Sequence, residues 1–257
     1  MGASLKLTLS LLALGGEMAG YCAREIFSRI SKSGRIDHAL RRLAVSGGVT
    51  VVGTGPLDQR VLRLTAEGRC DALGGIDPEA AWSRPWDGIW RVVAFDIAEA
   101  AAARRARLRR RLHDFRFGWL QNSVWISPHP IEAFRAGLDE AGIAPDTLSY
   151  FEARCAGGES PAALVGAAWD FVRLAQSYAD YQQILQARPS RVGGTKTAWL
   201  RWLEAEHLAW RRIARGDPFL PEALLPPGYR GRTAWAARTK ALAGFARVWR
   251  QPPPTGL

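Results

Sequence analysis

The 257-residue chain lacks most of the patterns that identify an enzyme or a disulfide-stabilised secreted protein. Its three cysteines are widely spaced and form no CxxC pair, so neither a structural zinc site nor a disulfide framework is indicated. Its four histidines are dispersed, and no catalytic triad, P-loop or complete glycine-rich dinucleotide pattern appears. We therefore expect no enzymatic activity, no cofactor and no resident metal.

The chain also has no long hydrophobic run. The most apolar stretch, SLKLTLSLLALGG near the start, is too short and too polar to span a bilayer. It has no small-residue cleavage site typical of a signal peptide, so we interpret it as a core helix. We expect a cytoplasmic protein that has no membrane partner.

Positive charge is what the chain has in excess. The formal net charge is +11, with 47% hydrophobic residues and 11 tryptophans. Residues 156–257 contribute the largest part of this net positive charge, with 14 Lys/Arg against 7 Asp/Glu. A basic globular protein of this kind is suited to a nucleic acid or a phosphorylated ligand.

Residues 1–73 have the element order of a winged helix-turn-helix. Three short helical patterns, the last ending near Ser46, precede a hairpin formed by VTVVG and RVLRLT. In that module the third helix enters the major groove and the hairpin contacts the flanking backbone. The alternative is a small helical domain for protein contact, and the single strong cation at the hairpin tip, Arg60 beside Asp58, favours it.

The predicted DNA-binding side chains are cations and small polar groups on the outer face of the third helix, at its start and on the hairpin. They are Lys32, Ser33, Arg35, His38, Arg41, Arg42 and Arg60.

After a linker at 74–86, residues 87–156 predict a second domain. The order of patterns is strand, helix, two short strands, helix and strand, which is the ferredoxin-like βαββαβ arrangement. Together with the other parts, this predicts an α+β protein.

Asp96 stands at the end of the first of these strands, directly before an arginine-rich helix. One interpretation is a metal-dependent nuclease, in which a dimer brings two Asp96 carboxylates around a divalent ion. The other is an acid at a strand end beside a solvated helix. Asp96 is thus the single candidate catalytic or metal-binding residue, and the second interpretation is the one we favour.

Residues 157–250 predict a helical, tryptophan-rich domain, followed by a flexible tail at 251–257. We expect one long helix from Pro161 to Gln186, with Val172 on its inner face. A second helix, KTAWLRWLEAEHLAWRRIARG, places its tryptophans at core spacing, and TAWAARTKALAGFARVW predicts the last helix.

Parts of the chain resemble known families. VVAFDI, the basic helix and GWLQNSVWIS resemble the small ferredoxin-like CRISPR adaptation endonucleases, whose metal-binding Asp matches Asp96. A longer resemblance includes WDGIWR, YADYQQILQARP and DPFLPEALLP in family order. These segments resemble the phenylacetic acid degradation repressor (PaaX-like) family.

The second resemblance implies a GntR-like winged helix and a homodimeric repressor that binds a palindromic double-stranded DNA operator. It also implies release by an aryl-acetyl coenzyme A thioester. Such an effector needs cations for its phosphates and an apolar slot, which suggests Trp210, Arg211, Arg212 and Arg230 as its binding residues. Asp37 departs from the family pattern, since an Arg is typical there. A protein-interaction module that has lost DNA binding stays open as an alternative.

Overall fold

A computed structural model describes residues 17–19, 41–42, 44–53, 60–140, 148–190 and 194–250. These residues belong to two compact units. The first unit contains Met1–Asp77, Ser177–Ala214 and Arg230–Leu257, and the second contains Pro78–Gln176 and Arg215–Tyr229. Helices and strands are mixed in the chain, which confirms the α+β class.

The first unit contains a small antiparallel sheet. Strands β2 (Val49–Val52) and β3 (Val61–Leu64) pair in the hairpin that the sequence predicts, with Val49 opposite Leu64. A third strand, β1 (Glu17–Ala19), pairs with the other side of β3 and gives the order β1-β3-β2. The sequence did not predict β1, because three residues are too few for an alternating pattern.

Two short helices follow. Helix α1 spans Ala66–Ala72, and helix α2 spans Pro78–Ser83 within the segment that the sequence assigned to a linker. Within the described part of the chain, no helix is long and apolar enough to cross a membrane.

The second unit is built on a four-stranded sheet, and its elements follow one another in the βαββαβ order that the sequence predicts. Its elements are β4 (Trp90–Phe95), α3 (Ala102–Asp114), β5 (Gly118–Gln121), β6 (Val124–Ser127), α4 (Glu132–Glu140) and β7 (Leu148–Ala153). A 3-10 turn, Glu99–Ala101, leads into α3. The strand order is β5-β6-β4-β7 and all pairs are antiparallel, as in ferredoxin-like domains.

Helices α3 and α4 cover one face of this sheet. Leu108 and Leu112 of α3 are fully buried and join one apolar core with Phe134 of α4 and with Val93 and Trp125 of the strands. Removal of such side chains from water is the main contribution to the stability of the domain. The arginines of α3 are consequently directed away from the core.

The opposite face is covered by helix α5 (Pro161–Ala168) and by a 3-10 turn, Glu222–Leu224. Val165 and Leu224 pack here against Trp90 and Ile126 of the sheet. The DPFLPEALLP segment therefore contributes to the core of the second unit.

The prediction of one helix from Pro161 to Gln186 is wrong, because α5 ends at Ala168 and helix α6 spans Phe171–Gln186. Trp169 between them has an extended backbone (φ −132°, ψ 137°), and its ring packs against Gly118 and Trp90. The carboxylate of Asp170 then accepts the Arg173 N–H at 2.8 Å and caps α6. The break leaves Val172 86% exposed, contrary to the predicted inner position.

Of the remaining helices, α7 spans Lys196–Gly216 and α8 spans Gly231–Arg250. Helix α7 has the predicted bounds, and α8 begins two residues before and ends one residue after the segment predicted for it. The tryptophans of α7, which are Trp199, Trp202 and Trp210, are all buried, as their spacing predicts.

We predict that Gly118→Ala destabilises the protein. A Cβ at residue 118 would lie 2.6 Å from Trp169 and 2.7 Å from the Ala168 side chain. Such overpacking costs about 1–3 kcal/mol, and urea denaturation of the full chain would measure it. Gly166→Ala is the matched control, because its Cβ would meet nothing within 4 Å and α5 would gain helix propensity. Equal stability of the Gly118→Ala variant and the wild type would contradict the packing described here.

Candidate functional site

The described part of the predicted DNA-binding surface is the end of its third helix. Residues 41–42 and 44–45 are helical, and the side chains of Arg41 and Arg42 are exposed. The helix ends in a turn in which Ser46 N–H donates to Arg42 O at 2.9 Å and Gly47 adopts a positive φ of 73°. The chain then enters β2 directly. Lys32, Ser33, Arg35 and His38, and also Asp37, lie outside the described residues.

The turn after this helix is held by Thr65, at the end of the hairpin. The Thr65 hydroxyl donates to Gly47 O at 2.5 Å and accepts the Gly68 N–H at 2.9 Å. A Cβ on Gly68 would lie 1.8 Å from Gly48 O, so α1 and the turn can approach this closely because residue 68 is a glycine. The turn that follows Arg42 is therefore joined to the end of the hairpin.

The hairpin contributes two further cations. Arg60 is half-buried immediately before β3, and Arg63 is exposed within β3. Thr50 of β2 donates its hydroxyl to Arg63 O at 3.4 Å across the hairpin. Arg63 was not among the predicted DNA-binding residues. The alternation of RVLRLT nevertheless places Arg63 on the exposed face of the strand, since its neighbour Leu62 is buried on the other face.

The residues predicted to bind an effector differ in exposure. Trp210 is fully buried, and its indole N–H donates to Leu73 O at 2.9 Å. Its ring packs against Tyr181 and Trp235. Arg211 is half-buried, whereas Arg212 and Arg230 are exposed. The effector role of these residues stays a prediction, and exposure favours the two outer arginines over Trp210 for contact with an anion.

A buried charged pair lies next to Trp210 in the first unit. Glu206 is fully buried, and its Oε1 accepts from Arg238 Nε at 2.8 Å and from the Tyr181 hydroxyl at 2.6 Å. The Arg238 guanidinium also lies 4.9 Å from the Trp210 ring and 5.5 Å from the Trp235 ring. Burial raises the pKa of Tyr181, as does the charge of Glu206, so the phenol stays a neutral donor.

This cluster was not predicted from the sequence. The signal that could have identified it is the position of Glu206, which lies four residues from both Trp202 and Trp210 and therefore falls within the apolar stripe of α7. A carboxylate at such a position must be paired when it is buried. Its partner on α8, Arg238, is distant in sequence and could not be inferred.

A second polar cluster organises the DPFLPEALLP segment of the second unit. The buried Asp217 accepts the Phe219 N–H at 2.6 Å and the Tyr229 hydroxyl at 2.6 Å. Arg116 donates to Asp217 O at 2.9 Å, and its guanidinium lies 5.1 Å from the Phe219 ring. Arg116 and Phe219 both have positive φ angles, 64° and 45°. Such backbone conformations persist where surrounding contacts hold them.

His129 lies beside this segment. Arg84 Nη2 contacts His129 Nδ1, and His129 Nε2 lies 3.5 Å from Pro218 O. These partners indicate a neutral ring with its proton on Nε2. Burial lowers the pKa of His129 to about 4, and the charge of Arg84 contributes to the same direction.

Asp96 is exposed, directly after the last residue of β4. Within the described ranges, no group of three or more His, Cys, Asp or Glu side chains could hold a metal ion. The described residues thus gather no group of three such side chains at Asp96, and its role as a metal ligand stays a prediction.

We predict that His129 makes the stability of the protein pH-dependent between pH 4 and 6.5. In that range the unfolded chain, with an ordinary histidine pKa near 6.5, binds a proton that the folded protein, with a pKa of about 4, does not. The free energy of unfolding is therefore highest above about pH 6.5. It falls as the pH decreases toward 4, and His129 accounts for up to about 3 kcal/mol of that decrease.

Urea denaturation of wild type and His129→Gln across pH 4.5–7.5 would measure this effect. The difference in unfolding free energy between the two proteins should change with pH. Parallel curves would show that His129 titrates normally in the folded state.

Comparison with known proteins relates the chain to regulators. A model described as the PaaX protein central Cas2-like domain matches residues 83–165, and one described as the PaaX-like protein C-terminal domain matches residues 169–247. The transcriptional repressor PaaX of Escherichia coli (strain K12) is 29% identical over 210 residues, which cover 76% of this chain and 64% of that protein. The matched region thus spans 64% of the length of this curated relative.

A solved structure shares the fold. The uncharacterized protein Rv0674 from Mycobacterium tuberculosis superposes with a TM-score of 0.58 and 22% sequence identity. The match covers 94% of this chain and 95% of that one. Because the two PaaX domain models together match more than half of the residues, the chain belongs to the PaaX-like family of regulators.

Proposed function

We propose that this protein is a DNA-binding transcriptional repressor that acts as a homodimer and is released from its operator by an aryl-acetyl-CoA-like thioester. The observation that supports it most is a basic helix end followed directly by an antiparallel hairpin, in a chain of the PaaX-like family. A repressor named PaaX is a relative of this chain.

The arrangement in the first unit suits a winged helix-turn-helix. Two exposed guanidinium groups, those of Arg41 and Arg42, lie on the last turn of the predicted recognition helix. Arg63 lies on the neighbouring three-stranded sheet. Arginines provide the planar, bidentate donors that phosphates and guanine edges accept. Strand β1 pairs with β3 and extends the hairpin to a three-stranded sheet.

The proposed dimer is suited to an operator that contains two half-sites. Two copies of a winged helix, related by a two-fold axis, present two recognition helices to a palindromic operator. The proposed dimer is therefore part of the DNA-recognition mechanism.

Release by an effector requires that the effector binds the DNA-free form more tightly than the DNA-bound form. The exposed Arg212 and Arg230 are the proposed contacts for the phosphates of coenzyme A. The apolar acyl end needs a separate slot, and the tryptophan-rich helices α7 and α8 are where we expect it.

We predict that Arg41→Gln combined with Arg42→Gln weakens operator binding. Loss of two phosphate or base contacts should reduce affinity by 10-fold or more, since one bidentate base contact is worth about 1–3 kcal/mol. Electrophoretic mobility shift with the DNA upstream of this chain's own gene, at low salt, would measure it.

The matched control is Arg201→Gln combined with Arg215→Gln, which removes the same charge from exposed positions of α7. It should bind almost as the wild type does. Absence of any shift by the wild-type protein at low salt would instead support a protein-interaction module that has lost DNA binding.

We predict that Arg212→Gln combined with Arg230→Gln makes the repressor insensitive to its effector. The concentration of phenylacetyl-CoA that dissociates half of the DNA complex should rise by roughly 10-fold, while affinity for DNA in its absence is unchanged. Fluorescence anisotropy of a labelled operator would measure both quantities. An unchanged effector response would remove these two arginines from the proposed site.

A further inference from the structure

Helix α3 of the second unit has an arginine content that the fold does not require. Its 13 residues, AARRARLRRRLHD, contain six arginines and one acid, Asp114. The fold needs the inner face of this helix, where Leu108 and Leu112 are fully buried in the sheet core. The outer face could have any solvated sequence without loss of packing.

The inner leucines determine which arginines face solvent. Arg107, Arg109 and Arg110 are exposed, while Arg104, Arg105 and Arg111 are half-buried at the flanks. The arginine face is defined here as Arg107, Arg109 and Arg110. Arg107 and Arg110 are three residues apart, which makes them neighbours on the helix surface, while Arg109 lies on the other flank of the exposed side.

The arginine face has no acidic partner within the part of the chain that the structure describes. Arg110 Nε donates to Ala106 O at 3.3 Å, a contact within the helix itself. By contrast, Arg91 on the neighbouring sheet binds the carboxylate of Asp87 at 2.7 Å. Clustered like charges repel each other, and a polyanion removes that repulsion and releases its own counterions.

A second copy of the chain fits this face poorly. A two-fold interface at α3 would place the arginines of one copy against those of the other, which is unfavourable. Duplex DNA offers one phosphate per about 1.7 Å of helix axis, and a guanidinium binds phosphate through two parallel N–H donors. Its charge and geometry both suit the arginine face.

We propose that the arginine face of α3 binds the phosphate backbone of duplex DNA, as a contact separate from the winged helix. This inference rests on the proposed function, because it assigns a second surface to the same DNA complex. The contact is independent of sequence, so it adds affinity and salt dependence and leaves operator preference unchanged.

The test is the salt dependence of DNA binding by the full chain. The measured quantity is the slope of log K against log[NaCl], where K is the association constant for DNA. It would be determined for wild type and for the variant R107Q/R109Q/R110Q, on the operator and on an unrelated duplex of equal length. Each lost phosphate contact lowers the magnitude of the slope by about 0.9, so we expect a decrease of up to about 2.7 on both duplexes. The ratio of operator to unrelated affinity should not change.

Two control variants make the result specific. R201Q/R215Q/K240Q removes three exposed positive charges elsewhere and should keep the wild-type slope. R107K/R109K/R110K keeps the charge and should retain most of the slope. Equal slopes for the wild type and R107Q/R109Q/R110Q would overturn the inference, as would equal losses in both glutamine variants.

Other outcomes separate this inference from the proposed function and from a different phosphate ligand. Operator-specific binding with an unchanged slope in R107Q/R109Q/R110Q refutes the arginine face and leaves the repressor proposal intact. Calorimetry would test coenzyme A as the ligand of the arginine face. If R107Q/R109Q/R110Q loses coenzyme A binding but keeps the wild-type salt dependence of DNA binding, the DNA contact is overturned and the face binds coenzyme A. Failure of the wild type to bind either duplex refutes both proposals.

Discussion

A charged group that leaves water must find a partner, and this constraint distinguishes two sets among the arginines that the structure describes. In the first unit, the buried Arg238 is held by the carboxylate of Glu206 and by two indole rings. In the second unit, Arg116 is held by the Asp217 carbonyl and the Phe219 ring. Loss of one partner of a buried ion pair costs about 3–5 kcal/mol, so Arg238 is committed to structure.

The other set is exposed and has no such commitment. Arg41 and Arg42 extend from a helix end before the hairpin, and Arg107, Arg109 and Arg110 cover the outer side of α3. Exposed ion pairs contribute little to stability, so the density of positive charge on these surfaces needs another explanation. The polyanionic partner proposed above would account for it, and the two family matches place the chain in the PaaX-like family.

The sequence predicted those elements whose pattern is local. The hairpin of β2 and β3, the βαββαβ order and the extent of α7 all follow from periodicity and turn residues within a few positions. The break at Trp169 was missed because the apolar spacing continues through it. The contact that Trp169 makes at the break is with Gly118, fifty-one residues earlier. The pairing of Glu206 with Arg238 was missed for the same reason, since it depends on two helices meeting. For the site, the helix-end arginines could be selected from their charge and from the order of the elements, whereas the proposed DNA contacts depend on a partner outside the chain.

We propose that this chain recognises operator DNA as a dimer of winged helices. The most direct measurement is a hydroxyl-radical footprint of the wild-type protein on the DNA upstream of its own gene. We expect two protected half-sites related by dyad symmetry, with centres about 10–10.5 base pairs apart or a multiple of that spacing. Protection of one unpaired site, or no protection at low salt, would contradict it.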